Sequence, residues 1–93
     1  MEKMQKLELM DKIQRELEDL QNSQTALLKK VSQIEAHNMT LGDSLLDEKL
    51  PDLQEQVDNG VGVVGQLVTE FAEHRNKFYE DNHLATLQDP TAK

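Results

Sequence analysis

The sequence predicts an all-α protein: a long amphipathic helix that forms a coiled coil, a break, and a second amphipathic helix. Apolar residues recur with alternating steps of three and four between Met10 and Leu45, which is the spacing of a coiled-coil seam. No glycine or proline interrupts residues 4–41, and the apolar phase changes near residues 42–51. We therefore divide the chain into three segments: a coiled-coil helix over 1–46, a second helix over 47–83 and a flexible tail over 84–93.

The first segment fits a heptad repeat, written abcdefg, in one unbroken phase. A single helix leaves its a and d side chains in water, so this stripe needs a partner. Gln24 and Asn38 stand at a positions, and a buried amide there is best satisfied by its own copy across a parallel two-stranded interface. The pattern predicts a parallel dimer with this interface: Met10, Ile13, Leu17, Leu20, Gln24, Leu27, Val31, Ile34, Asn38, Leu41 and Leu45.

A long helix within an ordinary helical bundle is the alternative to this dimer. Leu9 at g and Leu28 at e widen the apolar stripe, which suits a third or fourth helix. Lys30 at g and Glu35 at the following e position would attract each other across a parallel dimer by a few tenths of a kcal/mol. Six further e and g residues carry little charge, so the partner is either a second copy or a homologous coiled-coil chain; they are Gln14, Gln21, Ser23, Leu28, His37 and Ser44.

The segment from 42 to 51 either bends the chain or reverses it, and the sequence leaves both open. Gly42 can end a helix in the left-handed conformation, while Pro51 lacks a backbone donor and restricts Leu50. A reversal would give a helical hairpin, and two hairpins could form a four-helix bundle. Past the break, these apolar residues are predicted to pack or to contact a partner: Leu50, Leu53, Val57, Val61, Val64, Leu67, Val68, Phe71, Phe78 and Tyr79. Phe71 is assigned to the oligomer's own core, and Phe78 and Tyr79 to contacts with another subunit.

The stretch Gly60-Val61-Gly62-Val63-Val64-Gly65 has the G-x-G-x-x-G spacing of a dinucleotide-binding turn. Such a turn follows a buried strand, whereas residues 50–59 have helical spacing and include three acids that would oppose a phosphate. We interpret the glycines as structural, and the sequence predicts no bound cofactor.

Three structures are open for this glycine stretch. A helix could begin at Gly60, capped by Asp58 or Asn59, or a helix could run through from Pro51. In the second case Gly62 and Gly65 would form a smooth patch for a close helix approach. A tight β-hairpin at Asn59-Gly60 is the third possibility.

No set of side chains in the sequence indicates catalysis. Glu80-x-x-His83 has the spacing of a helical metal-binding pair, but a di-metal site needs two such pairs and further glutamates. Ser23, Ser32 and Ser44 lie on or beside the long helix, where no pocket would enclose a substrate. We predict that the protein is not an enzyme and binds no metal.

Composition limits the partners. The net charge is −8, and the deficit of basic residues holds in both halves, with seven basic and ten acidic residues over 1–50 and three and eight over 51–93. Such a chain repels nucleic acid and anionic lipid. It has no cysteine, no apolar run long enough to span a membrane and no signal-peptide block at its start. The expected location is intracellular, cytoplasmic or nuclear.

Ninety-three residues bury too little surface alone to be comfortably stable, so self-association or a partner chain should supplement the core. The sequence thus predicts a non-enzymatic oligomerisation or assembly subunit that acts through coiled-coil dimerisation and helix-bundle contacts. The alternative is a viral or bacterial chaperone-like scaffold that binds a structural client transiently. Its small size and acidity are compatible with that role.

Overall fold

The computed structural model, which describes residues 1–84, consists of two long antiparallel helices lying side by side. Helix α1 spans Lys3–Leu41 and helix α2 spans Ser44–Asp81, and no strand occurs within the described range. The molecule measures 68 × 20 × 17 Å. The all-α, elongated fold predicted from the heptad spacing is therefore confirmed. The choice between a bend and a reversal is decided in favour of a helical hairpin.

The reversal between the helices takes only two residues. Gly42 adopts the left-handed conformation with φ +67°, and its N–H donates to the Asn38 carbonyl oxygen at 2.7 Å. Asp43 then caps α2, because its carboxylate accepts hydrogen bonds from the backbone N–H groups of Leu45 and Leu46 at 2.9 and 3.1 Å. The break is thus shorter than predicted. The first helix ends at residue 41 and not 46, and the second begins at 44 and not 47.

Pro51 lies inside α2, although the sequence placed it in the break. An interior proline removes one helical hydrogen bond and clashes with the preceding turn. The seven residues before Pro51 are nevertheless held in the helix by the Asp43 cap, by a hydrogen bond from Asn38 to Asp47 and by burial of Leu50. These contacts come from the reversal itself, so the helix starts before the proline.

The two helices meet along a seam formed by their a and e positions. The α2 heptad has Leu50, Val57, Val64, Phe71 and Phe78 at a, and its least exposed residues follow that phase. In α1 the residues with low exposure also occupy a and e. On the α1 side the seam consists of Leu7, Met10, Gln14, Leu17, Gln21, Gln24, Leu28, Val31, Glu35 and Asn38. Successive residues are about 100° apart around a helix, so the stripe that α1 buries is centred roughly 50° to one side of its predicted a/d seam.

The glycine stretch forms part of a continuous helix, with no capped start at Gly60 and no β-hairpin. A Cβ atom at Gly60 would lie 3.2 Å from Nε2 of Gln24, and one at Gly65 would lie 3.4 Å from Nε2 of Gln21. Gly62 faces open space, so the predicted close-approach surface is formed by Gly60 and Gly65 and does not include Gly62. The long glutamine side chains of α1 fill the volume that these two glycines leave on α2.

Polar contacts hold the open end of the hairpin. The Arg75 guanidinium donates to both carboxylate oxygens of Asp11, with N–O distances of 2.6 and 3.3 Å. The same guanidinium lies 5.0 Å from the Tyr79 ring centroid, and the Lys6 ammonium lies 5.2 Å from that of Phe78. Both of these rings are half-buried within the chain. The predicted tail begins at Leu84, which is buried, and residues 85–93 lie outside the described part of the chain.

Candidate protein-interaction surface

The d positions of both helices lie on one side of the hairpin. Leu9 and Ile13 of α1 line the same groove as Phe71 and His74 of α2, which places the g and d side of α1 next to the d side of α2. We call this surface the front face. It consists of Ile13, Leu20, Leu27, Ile34 and Leu41 from α1 and of Leu46, Leu53, Gly60 and Leu67 from α2.

The front face is apolar and exposed. Its α1 residues from Ile13 to Ile34 each leave between 37% and 48% of their surface open to solvent, and Leu41 leaves 70%. Leu53 and Leu67 of α2 each leave 44% exposed. Single exposed apolar residues are ordinary, but a stripe that follows a whole helix is typical of a surface that binds another protein.

The seam between the helices is more polar than the front face. In α1 it includes Gln14, Gln21, Gln24, Glu35 and Asn38, close to half of its positions. The Gln14 amide donates to the Val68 carbonyl oxygen at 3.3 Å. The side-chain oxygens of Gln14 and Gln24 are buried and accept no hydrogen bond within residues 1–84, which weakens the seam. The hairpin thus exposes its most apolar stripe and buries a mixed one.

The opposite side of the hairpin, which we call the back face, is formed by the b positions. In α1 the central b positions are Asp11, Glu18, Thr25 and Ser32, all polar, and they are flanked by the half-buried Met4 and by Met39, which is 87% exposed. This surface is typical of a helix side that stays in water. The hairpin therefore has one side, the front face, with an exposed apolar surface that favours association.

Asn38 is the buried polar side chain among residues 1–84, and it joins the end of α1 to the start of α2. It is only 5% exposed. Its side-chain oxygen accepts from the Asp43 backbone N–H at 3.0 Å, and its side-chain nitrogen donates to the Asp47 carboxylate at 2.7 Å. The sequence predicted a copy of Asn38 as its partner. In the structure the amide is satisfied within its own chain, because the reversal brings the start of α2 next to it.

The residues predicted to form the parallel dimer are divided between two surfaces. Met10, Val31 and Asn38 are buried in the hairpin, and Leu17 and Gln24 are half-buried in the seam. The d residues lie on the front face, and Leu45 belongs to the first turn of α2, 61% exposed. Because α2 is linked to α1 by a two-residue turn, its effective concentration near the a positions is high, and α2 covers them in preference to another molecule. The predicted parallel pairing through a and d together is not the packing that this hairpin shows.

The α2 residues predicted for packing or partner contact are divided in the same way. Leu50, Val57 and Val64 are buried in the seam, and Leu53 and Leu67 are exposed on the front face. Five are half-buried: Val61, Val68, Phe71, Phe78 and Tyr79.

At the open end of the front face lies a groove of about 560 Å³. Its apolar lining comes from Met1, Leu9, Met10, Ile13 and Phe71, and the His74 ring is 6.1 Å from that of Phe71. The groove continues the front face and has the size for one or two apolar side chains of a partner.

The residues considered for chemistry do not form a site within the described range. Among residues 1–84 no three His, Cys, Asp or Glu side chains are placed to hold a metal ion. Glu80 lies in the last turn of α2, whereas His83 lies beyond the end of that helix at Asp81. The glycines of the G-x-G-x-x-G stretch are helical and so lack the strand-to-turn context of a dinucleotide site. Within the same range no helix is both long and apolar enough to cross a lipid bilayer.

Comparison of this chain with protein-family models, with curated proteins and with solved structures finds no match. The surface described above therefore carries the functional argument.

Sequence reasoning missed two groups of interface residues. Asp43 and Asp47, which satisfy Asn38, were not singled out, although acids directly after a helix-ending glycine are a typical capping signal. Gln14 and Gln21 at e positions were described as carrying little charge, but they face the second helix. The glutamines at a and e positions of α1, together with the glycines of α2, are the signal that could have indicated this contact.

Proposed function

We propose that this chain is a non-enzymatic assembly subunit that joins helices of other molecules, including further copies of itself, through its front face. The observation that supports this proposal is that the hairpin exposes its most apolar stripe and buries a more polar one. Every d position of α1 from Ile13 to Leu41 is apolar and exposed, while the α1 side of the seam contains five polar residues. Burial of one leucine or isoleucine side chain stabilises by roughly 1.5–3 kcal/mol, so covering this stripe favours association strongly.

The shape of the front face suits helical partners. Two antiparallel helices present a shallow groove between their d positions, and helix bundles grow by packing further helices into such grooves. The face extends along a molecule 68 Å long, which is sufficient for a standard interface of roughly 800 Å² per partner. An extended strand would find no sheet edge to pair with in residues 1–84.

The test compares Leu27→Asp on the front face with Ser32→Asp on the back face. Both variants add one negative charge to the middle of α1. We expect the unchanged chain and Ser32→Asp to elute with a mass above the 10.6 kDa of one chain in size-exclusion chromatography with light scattering. Leu27→Asp should have the mass of one chain and keep a helical circular dichroism spectrum.

Two outcomes would contradict the proposal. The first is that the unchanged chain has the mass of one molecule at all concentrations and that Leu27→Asp melts at the same temperature as the unchanged chain. In that case the front face has no role in association. If the isolated chain is largely unfolded and becomes helical only with a client, it matches the transient scaffold instead.

A further inference from the structure

We infer that the front face is covered by a second copy of this chain, turned end to end, so that two hairpins form a four-helix bundle. In this arrangement α1 packs antiparallel on the partner's α1, and α2 packs antiparallel on the partner's α2. The inference rests on the proposed function and names the partner and its orientation.

The middle of the front face lies at Leu27 and Gly60. Contacts across the hairpin place Asp11 opposite Arg75 and Gln24 opposite Gly60, so Leu27 and Gly60 are at nearly the same height. Apolar residues follow at equal distances to either side. Leu20 and Ile34 are each seven residues from Leu27, while Leu53 and Leu67 are each seven residues from Gly60. Fourteen residues out, Ile13 matches Leu41 on α1 and Leu46 matches His74 on α2, so the pattern of the central apolar layers is the same when read from either end.

A face with this pattern can meet its own copy in two ways. In the reversed arrangement the hairpin tips point in opposite directions, and in the same-direction arrangement they point the same way, with α1 on the partner's α2. In both arrangements the central apolar d residues of one copy lie at the same height as those of the other copy. The g positions, which flank the d stripe on its outer side, carry the charges that distinguish the two arrangements.

The reversed arrangement pairs opposite charges. Lys49 lies eleven residues before Gly60 and Glu70 lies ten residues after it, so each Lys49 meets the partner's Glu70. Glu16 and His37 stand at the matching distances from Leu27, so each Glu16 meets the partner's His37, whose ring N–H can donate a hydrogen bond to the carboxylate. Each contact occurs twice because of the two-fold symmetry.

The same-direction arrangement brings like charges together. Here Glu16 would meet the partner's Glu70, and Lys49 would meet the imidazole of the partner's His37 in place of a carboxylate. Two carboxylates at this spacing repel each other, and this contact would again occur twice. Charge complementarity therefore selects the reversed arrangement.

Lys49 and Glu70 of one molecule are too far apart to pair with each other. They are 21 residues apart on one straight helix, which is roughly 31 Å at 1.5 Å per residue. The Lys49 ammonium is 3.9 Å from the carboxylate of its neighbour Glu48, and both side chains are mostly exposed. Glu70 accepts one hydrogen bond from Gln66 at 3.2 Å on the surface of α2. Both charges can therefore reach a second molecule.

The decisive experiment exchanges these two charges. We expect Lys49→Glu and Glu70→Lys, each alone, to weaken the dimer roughly tenfold at low ionic strength, because two attractive pairs become repulsive. An equimolar mixture of the two variants should associate as tightly as the unchanged chain, since a mixed dimer pairs opposite charges at both contacts. The double variant should also regain the original affinity. Glu55→Lys, at the outward f position of α2, serves as the control with an equal change in charge and no loss of affinity.

The alternatives give different results. A tighter dimer for Glu70→Lys would indicate the same-direction arrangement, because the new lysine would meet the partner's Glu16, and it would overturn the inference. Association that is sensitive to Leu27→Asp but unchanged by both single charge variants would overturn the inference and leave the proposed function standing. A chain that never associates would remove both.

A distance measurement checks the orientation independently. The chain has no cysteine, so a spin label attached at Thr40→Cys, exposed near the tip, is the only label on each molecule. In the reversed arrangement the two labels are separated along the bundle by 26 residues, roughly 39 Å. In the same-direction arrangement they lie at the same end, separated only by the width of the bundle. The short distance would overturn the inference.

Discussion

The seam and the front face run along the same hairpin, but they use different kinds of side chain. The seam joins α1 to α2 through amides and acids as well as apolar residues, and its ends are held by the Asn38 and Arg75 hydrogen bonds. The front face has only apolar residues on α1. Hydrogen bonds are directional, whereas burial of apolar surface is not. Polar contacts therefore select the register of the hairpin, while the apolar surface left over is available for association.

The strongest test of this division compares Val31→Asp in the seam with Ile34→Asp on the front face. Val31 is 2% exposed, so an aspartate there would bury an unpaired charge and cost about 4 kcal/mol or more. Val31→Asp should lose most of its helical circular dichroism at 25 °C. Ile34→Asp should remain helical and lose association. Equal unfolding of both variants would mean that the two surfaces are not separate.

Replacement of Asn38 tests whether its partners lie in the chain or in a second molecule. Asn38→Leu removes the acceptor for the Asp43 N–H and the donor to Asp47, and we expect a loss of about 2 kcal/mol in the free energy of unfolding. A parallel dimer in which Asn38 meets its own copy predicts the opposite, a higher melting temperature. Thermal melts of Asn38→Leu and of Asn22→Leu, at the outward f position of α1, distinguish the two cases.

The glycines of α2 give a smaller and positive effect. Gly62 faces open space in the middle of a helix, so Gly62→Ala should raise the free energy of unfolding by up to about 1 kcal/mol. Gly60→Ala should gain less, because its Cβ would meet the Gln24 amide at 3.2 Å and displace it. Urea unfolding of both variants measures the difference. A larger gain for Gly60→Ala would show that Gln24 does not pack against α2.

The smallest expected effect is that of the Asp11 to Arg75 ion pair. Asp11→Asn should cost about 1 kcal/mol or less, since both side chains are partly exposed, and the loss should shrink further in high salt. The hydrogen bond to Asp11 raises the pKa of Arg75, so its contribution is present below the ordinary arginine pKa and is lost only as the pH rises through the raised value. Unfolding measured at two salt concentrations checks the prediction. A loss that is independent of salt would indicate packing and not charge.

Part of the fold could be read from single residues and their spacing. The steps of three and four from Met10 to Leu45 predicted a long helix, and the phase change with Gly42 predicted the break. Pro51 was misleading, because its intrinsic preference to interrupt a helix is outweighed by the capping and hydrogen bonds of the reversal. The glycine stretch was ambiguous for the same reason: its low helix propensity is offset by Gln21 and Gln24, which lie far away in sequence.

The spacing of residues along the chain dictates that it is helical, that it has two amphipathic segments and that the apolar side chains of its first helix need another helix to cover them. Local propensity and periodicity carry that information, and both are properties of neighbouring residues. Tertiary contacts decide that α2 covers the a positions of α1 and leaves its d positions in solvent. That choice depends on which side chains fit across the seam, Gln24 against Gly60 and Asn38 against Asp47, and such pairs form only when the chain has turned back on itself.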